Sequence, residues 1–317
     1  MTDKIKLTFA CDDFEIAMPL LTGAVEIEGV EPVFVTELSN PERHGLMVRK
    51  LAFDVCELNV TNYLVARDQG VPITAIPVFL FRKFRHGNVY VNTAAGIRTP
   101  ADLAGRRIGV SNMQVASNVW IAGILEEYHG LRSRDVTWVL EREEDTPFDY
   151  PADLKVEHVP TGKTATSMVL NGEIEALMHP STPKPILTRD PRIARLFPDY
   201  MERELAYFNQ TGLFPIMHVT AVRQDVMDRY PWLAAVLIKA FEKAKAQAYH
   251  RMHNVRVVPL AWFEGHWEEE RHLFGPDAWP YGLDSTNRRN LETIIHYSHQ
   301  QGLIRRPWKI DELFTTV

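Results

Sequence analysis

Residues 97–110, IRTPADLAGRRIGV, constrain the fold more than any other part of the chain. Thr99 reads as an N-cap, and Pro100 as a first-turn residue, where a missing N–H costs nothing. Residues 101–104 make one short turn, Gly105 stops it, and residues 107–110 enter a strand. Ser111 and Asn112 then precede a periodic helix over about 114–128, with Ala116, Val119, Trp120, Gly123 and Ile124 on one face. A tight turn feeding a strand and then a buried helix begins a new α/β layer.

The chain before it is already such a layer. Strands are expected at residues 5–10, 32–35, 53–56 and 73–79, with helices at 14–21 and 61–67. Asn40 and Pro41 open another helix, Asn as N-cap and Pro at its first position. This alternation predicts a largely parallel sheet. A second α/β set runs to about Tyr207, with a helix at 164–171, a strand at 176–178 and a surface loop at 142–153. From Gly212 a strand at 214–222 leads into a helical tail at 225–252, 262–274, 285–301 and 311–314. The 317 residues suit two domains of roughly 150 each. The expected division is residues 1–98 with 213–317, and residues 99–212.

Composition narrows the function. With 45 % hydrophobic and 24 % charged residues and a net charge of −6, the chain lacks the basic balance of a nucleic-acid binder. No run approaches the ~20 apolar residues of a membrane span, and residues 1–10 carry Asp3, Lys4 and Lys6 rather than an apolar core, so a cytoplasmic place is expected. Cys11 and Cys56 show no ligand spacing and read as small buried thiols. Lys163, in TGKT, lacks the glycine pattern of a phosphate loop. The twelve histidines form no HExxH pattern, and no metal is expected.

A short PADLAGRRIGV crossing into a second α/β lobe, with a helix-rich tail returning to the first, resembles the type 2 periplasmic-binding-protein fold. Five strings carry a narrower likeness: FDVCELNVTNYLVARDQG (53–70), AIPVFLFRKFRHGNVYVNTAAGIRTPADLAGRRIGV (75–110), TGLFPIMHV (211–219), WPYGLD (279–284) and YSHQQGL (297–303). In these the chain resembles the 4,5-dihydroxyphthalate decarboxylase family along nearly its whole length. The resemblance implies a two-lobed α/β protein, each lobe a mostly parallel sheet flanked by helices. It also implies cofactor-independent decarboxylation of a hydroxylated aromatic carboxylate in the cleft between the lobes. A non-catalytic receptor for a small carboxylic acid is the alternative on the same fold. One departure stands out. The family often carries a basic residue shortly after the first strand, where this chain has Ile16 and Met18. Either another basic group holds the second carboxylate, or the substrate is a different hydroxylated aromatic acid.

Removing carbon dioxide from an aromatic ring without an oxidising cofactor requires protonation of the carbon bearing the carboxylate. The enzyme therefore needs cations to place the acid, a proton donor over the ring and a base near the phenol. Ligands of α/β folds gather at the carboxyl ends of strands. Arg82 and Arg85 are expected to hold carboxylates, since a planar guanidinium matches them in two places. His86 is expected to donate the proton or meet the phenol. The bland reading of the three is a solvated basic turn. Ser111, Asn112, Gln114 and Ser117 sit at a helix N-terminus, which serves as an anion site or is simply capped by them. Asp12, Asp13, Glu57, Asn59 and Asn62 follow strands and either take a phenolic proton or cap the next helix. His179 would face the cleft from the second lobe, and His218 lies in the return crossing near the hinge. The expected catalytic set is His86, His218 and Glu57. The expected binding set is Arg82, Arg85, Asp12, Asn59, Ser111, Asn112, Gln114, Ser117 and His179. The expected partner is one small aromatic carboxylic acid. Trp262, Trp267, Trp279 and Trp308 pack either on the first lobe or on another subunit of a homo-oligomer.

Overall fold

Strand-forming runs near the N-terminus assemble into one sheet in a computed structural model that describes residues 4–254 and 256–315. β1 (Ile5–Ala10), β2 (Val30–Val35), β3 (Val55–Asn59) and β4 (Ile73–Arg82) are its chain-early strands. The next six strands build a second sheet: β5 (Val89–Asn92), β6 (Arg107–Val110), β7 (Thr137–Leu140), β8 (Lys155–His158), β9 (Ala176–Met178) and β10 (Ile193–Arg195). β11 (Ile216–Arg223) returns to the first sheet. The strand orders are β2-β1-β3-β11-β4 and β10-β5-β9-β6-β7-β8.

One strand in each sheet runs against the rest. β11 is antiparallel to both β3 and β4, and β5 is antiparallel to both β9 and β10. The other pairings are parallel, as the strand–helix alternation requires. The chain leaves the first sheet after Arg82 and joins the second at Val89, so β5 belongs to the second sheet although it precedes residue 99.

Two boundaries differ from expectation in ways that matter for the site. β4 continues three residues past Phe79, because β11 extends the ladder as far as the Ile216–Arg82 pair. Arg82 is therefore a strand residue and not a loop residue. The helix Asn40–Lys50 is capped by Ser39, one residue earlier than expected, where Glu42 closes a capping box and accepts from the Ser39 N–H at 3.1 Å.

The two lobes share a core on one side. Trp120, on the helix Ala116–His129 of the second lobe, is fully buried and donates its indole N–H to the Ile216 carbonyl of β11 at 3.0 Å. The tail helix Ser285–Gln300 packs over this junction, with Tyr297 edge-on to Trp120 at 5.6 Å and lying directly on Gly123. Gln301 donates to the Val119 carbonyl at 2.9 Å. The tail helix Leu233–Met252 instead packs Leu237 and Phe241 under the first sheet against Leu7, Phe9 and Leu80. Among the described residues no helix is long and apolar enough to cross a membrane.

Candidate active site

On the side away from the shared core, the ends of β3 and β4 face the start of the Ala116–His129 helix across a cavity of about 480 Å³. That volume lies within the usual range for small-molecule sites. Asp12, His44, Asn59, Phe81, Arg85, Met217 and His218 line it from the first lobe, and Ser111, Ser117, Arg142, Pro180 and Ser181 from the second. Asn59 couples the two walls. Its Oδ1 accepts from the Thr61 N–H at 3.0 Å, capping the helix Val60–Asp68, and from the Ala116 N–H of the opposite lobe at 3.3 Å.

The floor is built around Glu57. β3 is buried at every position, so its one carboxylate is removed from water and must be compensated. Arg43, itself fully buried on the Asn40–Lys50 helix, donates to one Glu57 oxygen. The ring of His218 meets the other through Nδ1. Burial alone would raise the Glu57 carboxyl, but His218 and then Arg43 outweigh it and hold the group down at about 2. An ionised carboxylate only accepts, so Nδ1 of His218 carries the hydrogen and Nε2 is the nitrogen free to exchange a proton. Arg43 also lies 3.6 Å from Asp12 and donates to the Leu38 carbonyl at 3.1 Å.

Local backbone irregularity aims His218. Its register with β3 pairs it with Asn59, while Glu57 is opposite Thr220, two residues away on the same face. Against β4 the register shifts on both sides of His218. Bulges of this kind re-aim a side chain at a sheet's edge or site. The ring packs on Phe81 at 5.1 Å and meets His44 edge-on at 5.4 Å.

Arg85 supplies the cleft's cation. Its guanidinium lies 5.6 Å from the centre of the Phe81 ring, the same ring that packs on His218. Nε donates to Met217 Sδ at 3.1 Å and Nη1 to the Pro180 carbonyl at 2.7 Å, so strands of one lobe and a turn of the other hold it in place. Among the described residues it has no carboxylate partner. Burial brings it down to about 9, still charged at neutral pH. A buried cation with no direct ion pair, and only Glu204 acting on it from further off, is expensive to keep, and the cavity it lines suits an anion. Ser117 strengthens that reading. At 1 % exposure its hydroxyl finds no partner, and it stands in the first turn of the helix facing the cavity.

Of the expected residues, Asp12, Asn59, Arg85, Ser111, Ser117 and His218 meet in this cavity, with Glu57 directly behind His218. Five others do not line it. Arg82, expected to grip a carboxylate, points away and donates to the carbonyls of Phe214 at 3.2 Å and Pro280 at 2.9 Å, and to the Asn287 side chain. As the last residue of a strand it fastens the tail to the first lobe. His86, expected to donate a proton, packs among Phe197 and Tyr207 with Nδ1 unpartnered. Burial pushes it down to about 4, so it is neutral at pH 7, and it does not line the cavity.

Asn112 and Gln114 are fully buried by their own loop contacts. Asn112 donates to the Glu143 carbonyl at 3.1 Å, and Gln114 exchanges bonds with Thr146. The N–H groups of Met113 and Gln114 bind the Glu144 carboxylate at 2.8 and 3.1 Å, so this part of the expected anion site is filled from within. The 142–153 segment is a surface loop as expected, except that Asp145 and Thr146 turn inward: Asp145 is 3 % exposed and accepts from Asn62 at 2.6 Å. His179 turns its Nδ1 to Ser181 and leaves the cavity wall to Pro180 and Ser181. Ile16 is packed into the first-lobe core, and Arg142 enters the cavity instead, from the opposite wall, paired with Asp145 at 2.8 Å.

Three residues escaped the sequence reading: Arg43, His44 and Arg142. Arg43 and His44 stand in NPERHGLMVRK, where polar residues look like a solvated helix face, and only the tertiary packing turns them inward. Burial lowers His44 well below the usual histidine range, and its Nε2 has no partner. Ligand atoms of His44, Glu57 and His218 lie within 4.8 Å of one another, a donor set able to hold a metal ion. Its residues are scattered over three elements, so motif spacing could not reveal it.

Known proteins fit this geometry. Over 98 % of its length the chain is 35 % identical to 4,5-dihydroxyphthalate decarboxylase of Comamonas testosteroni, covering 96 % of that protein. It is 37 % identical over 205 residues to the protein of the same name from Pseudomonas putida, covering 62 % of this chain and 79 % of that one. Residues 28–147 match the family described as NMT1/THI5 like. Among solved structures, the alkanesulfonate-binding protein SsuA of Xanthomonas axonopodis pv. citri, bound to MOPS, superposes with a TM-score of 0.60 over 99 % of both chains at 13 % identity, a likeness of fold. The chain belongs to the 4,5-dihydroxyphthalate decarboxylase family, built on the type 2 periplasmic-binding-protein fold.

Proposed function

We propose that this protein decarboxylates 4,5-dihydroxyphthalate, or a close hydroxylated aromatic acid, to the catechol acid and carbon dioxide. The observation that carries the reading is a buried, unpaired Arg85 in the same cavity as a histidine wired to a buried carboxylate. A receptor would need the first. Only a proton-transfer site needs the second.

Arg85 and the Ser117 hydroxyl hold a ring carboxylate, with the partial positive charge of the Ala116–His129 helix start behind them. Arg142, on the opposite wall, takes the place of the basic residues absent at Ile16 and Met18 and meets the second carboxylate. His218, oriented by its Nδ1 contact with the Glu57 carboxylate, presents Nε2 to deliver the proton to the ring carbon. Asp12 and Asn59 border the hydroxylated end of the ring. The metal donor set of His44, Glu57 and His218 shares its carboxylate with Arg43, which supports proton transfer over metal chemistry here. Two unpaired, buried thiols, Cys11 and Cys56, support a reducing, cytoplasmic setting.

Incubation of the purified protein with 4,5-dihydroxyphthalate should release protocatechuate and carbon dioxide. His218→Gln should abolish turnover while largely retaining affinity. Absence of turnover across a panel of hydroxylated benzoates and phthalates would remove the enzymatic reading and leave a receptor.

A further inference from the structure

Of Trp262, Trp267, Trp279 and Trp308, three pack on their own chain. Trp267 meets Tyr249 edge-on at 5.7 Å, and Trp279 meets Phe214 edge-on at 5.2 Å. Trp308 lies under the Arg306 guanidinium at 3.8 Å and donates to Asp68 at 3.0 Å. Trp262 is instead 78 % exposed. Leu260, two residues before it, is 68 % exposed, and Pro259 and Ala261 are exposed as well. The Leu260 N–H donates to the Val258 carbonyl at 2.8 Å and the Phe263 N–H to the Leu260 carbonyl at 3.3 Å, so a backbone turn displays these side chains. Leu187, Met201 and Trp232 are exposed too, but they stand singly along the chain, as apolar residues do on any surface. A turn that shows leucine and tryptophan together to water marks a contact surface.

The charges around the turn say what it contacts. Arg256 precedes it, and Glu264 and Glu268 follow it, one helical turn apart at the start of the helix Phe263–Phe274. All three are exposed, and among the described residues none of them forms an ion pair. The same helix faces its own lobe through Trp267 and Phe274, which packs on Phe208 at 4.5 Å. The apolar turn thus has positive charge on one flank and negative charge on the other. Such a patch complements itself: rotated by half a turn about its apolar centre, it sets the arginine of each copy beside the glutamates of the other. A partner of one sign would meet one flank with like charge.

We infer that this turn is an interface between two copies of the chain. Leu260 and Trp262 form its apolar centre, and Arg256 of one copy faces Glu264 and Glu268 of the other across a two-fold axis. Tryptophan and arginine are the residue types that most often carry the energy of such contacts. None of these residues lines the cleft, so the inference is independent of the reaction proposed there.

Sedimentation velocity of the purified full chain at micromolar concentration tests it. The wild type should run as a dimer or a larger even assembly, and Trp262→Asp should halve that assembly. Arg256→Glu, which places like charges across the axis, should weaken self-association at least about tenfold. Glu264→Arg combined with Glu268→Arg should do the same. All three reversals together should restore association to within a factor of about three of the wild type, a rescue that damage to the fold could not produce. Each variant should keep the far-ultraviolet circular dichroism of the wild type, and Trp262→Ser replaces Trp262→Asp should the aspartate disturb folding. A monomeric wild type overturns the inference, as does an assembly indifferent to the Trp262 substitution. So does a triple reversal that associates no better than either reversal alone. A monomer that binds phosphatidylcholine vesicles through Trp262 would make the turn a lipid contact, and the interface between copies would fall.

Discussion

Arg82 and Arg85 stand three residues apart, each 2 % exposed, and their roles are opposite. Arg82 spends its guanidinium on carbonyls and an amide of the protein itself, whereas Arg85 keeps its charge facing a cavity. Substituting the two therefore separates stability from binding. Arg85→Met should weaken phthalate by about 2–4 kcal/mol, roughly 30- to 1,000-fold, because the ligand's carboxylate would be buried unpaired. Arg82→Met should leave phthalate affinity nearly unchanged and lower unfolding free energy by about 3 kcal/mol, since several buried acceptors lose their donor at once. Calorimetric titration and urea unfolding of both variants check this. A large loss of affinity in Arg82→Met would show that the tail contact reaches the cleft. The sequence marked this basic stretch but could not apportion it. Arg82's partners are residues 214, 280 and 287, and nothing local announces them. His44 was harder still, because a buried histidine in a polar helix has no periodic signature.

At the level of elements, legibility followed the range of the forces involved. The strand Ile5–Ala10, the helix Ser285–Gln300 and the capped turn Pro100–Leu103 are set by alternation, period and caps within a few residues, and they lie where those signals place them. The short strand β5 and the 142–153 segment take their form from partners elsewhere in the chain. β5 is held between β9 and β10, and the segment is held by Asn62, Gln114 and the loop amides that bind Glu144. The helix Ala116–His129 is the element that carries the site, since it bears Ser117 at its start and joins the lobes through Trp120. Its glycine at position 123 is where the tail rests. A Cβ there would lie inside the Tyr297 ring, which is itself pinned by a hydroxyl bond to Glu127. Gly123→Ala should therefore destabilise the protein by about 1–3 kcal/mol, despite the better helix propensity of alanine, because an overpacked core cannot relax cheaply. Urea unfolding measures it, and a stabilised variant would mean that Tyr297 swings aside freely.

For the whole molecule, the decisive feature is that one core runs through both lobes while one cleft parts them. Phe79 of the first sheet, Trp120 of the second lobe's first helix, and Leu291 and Tyr297 of the tail belong to the same buried cluster. Neither lobe can lose its packing without exposing apolar surface on the other, so the two should unfold together. A ligand in the cleft adds a second bridge. Arg85 is fixed by Met217 of the first lobe and Pro180 of the second, so a carboxylate bound to it tightens a joint that already exists. Tryptophan fluorescence and far-ultraviolet circular dichroism should accordingly report one coincident urea transition. Phthalate at one hundred times its dissociation constant should raise the unfolding free energy by about 2.7 kcal/mol, leaving the transition single. The same phthalate concentration should protect Arg85→Met by less than about 1 kcal/mol, because the bridge would lack its cation. Two separate transitions would show that the lobes are independent, and the cleft would then have to be closed by the ligand alone.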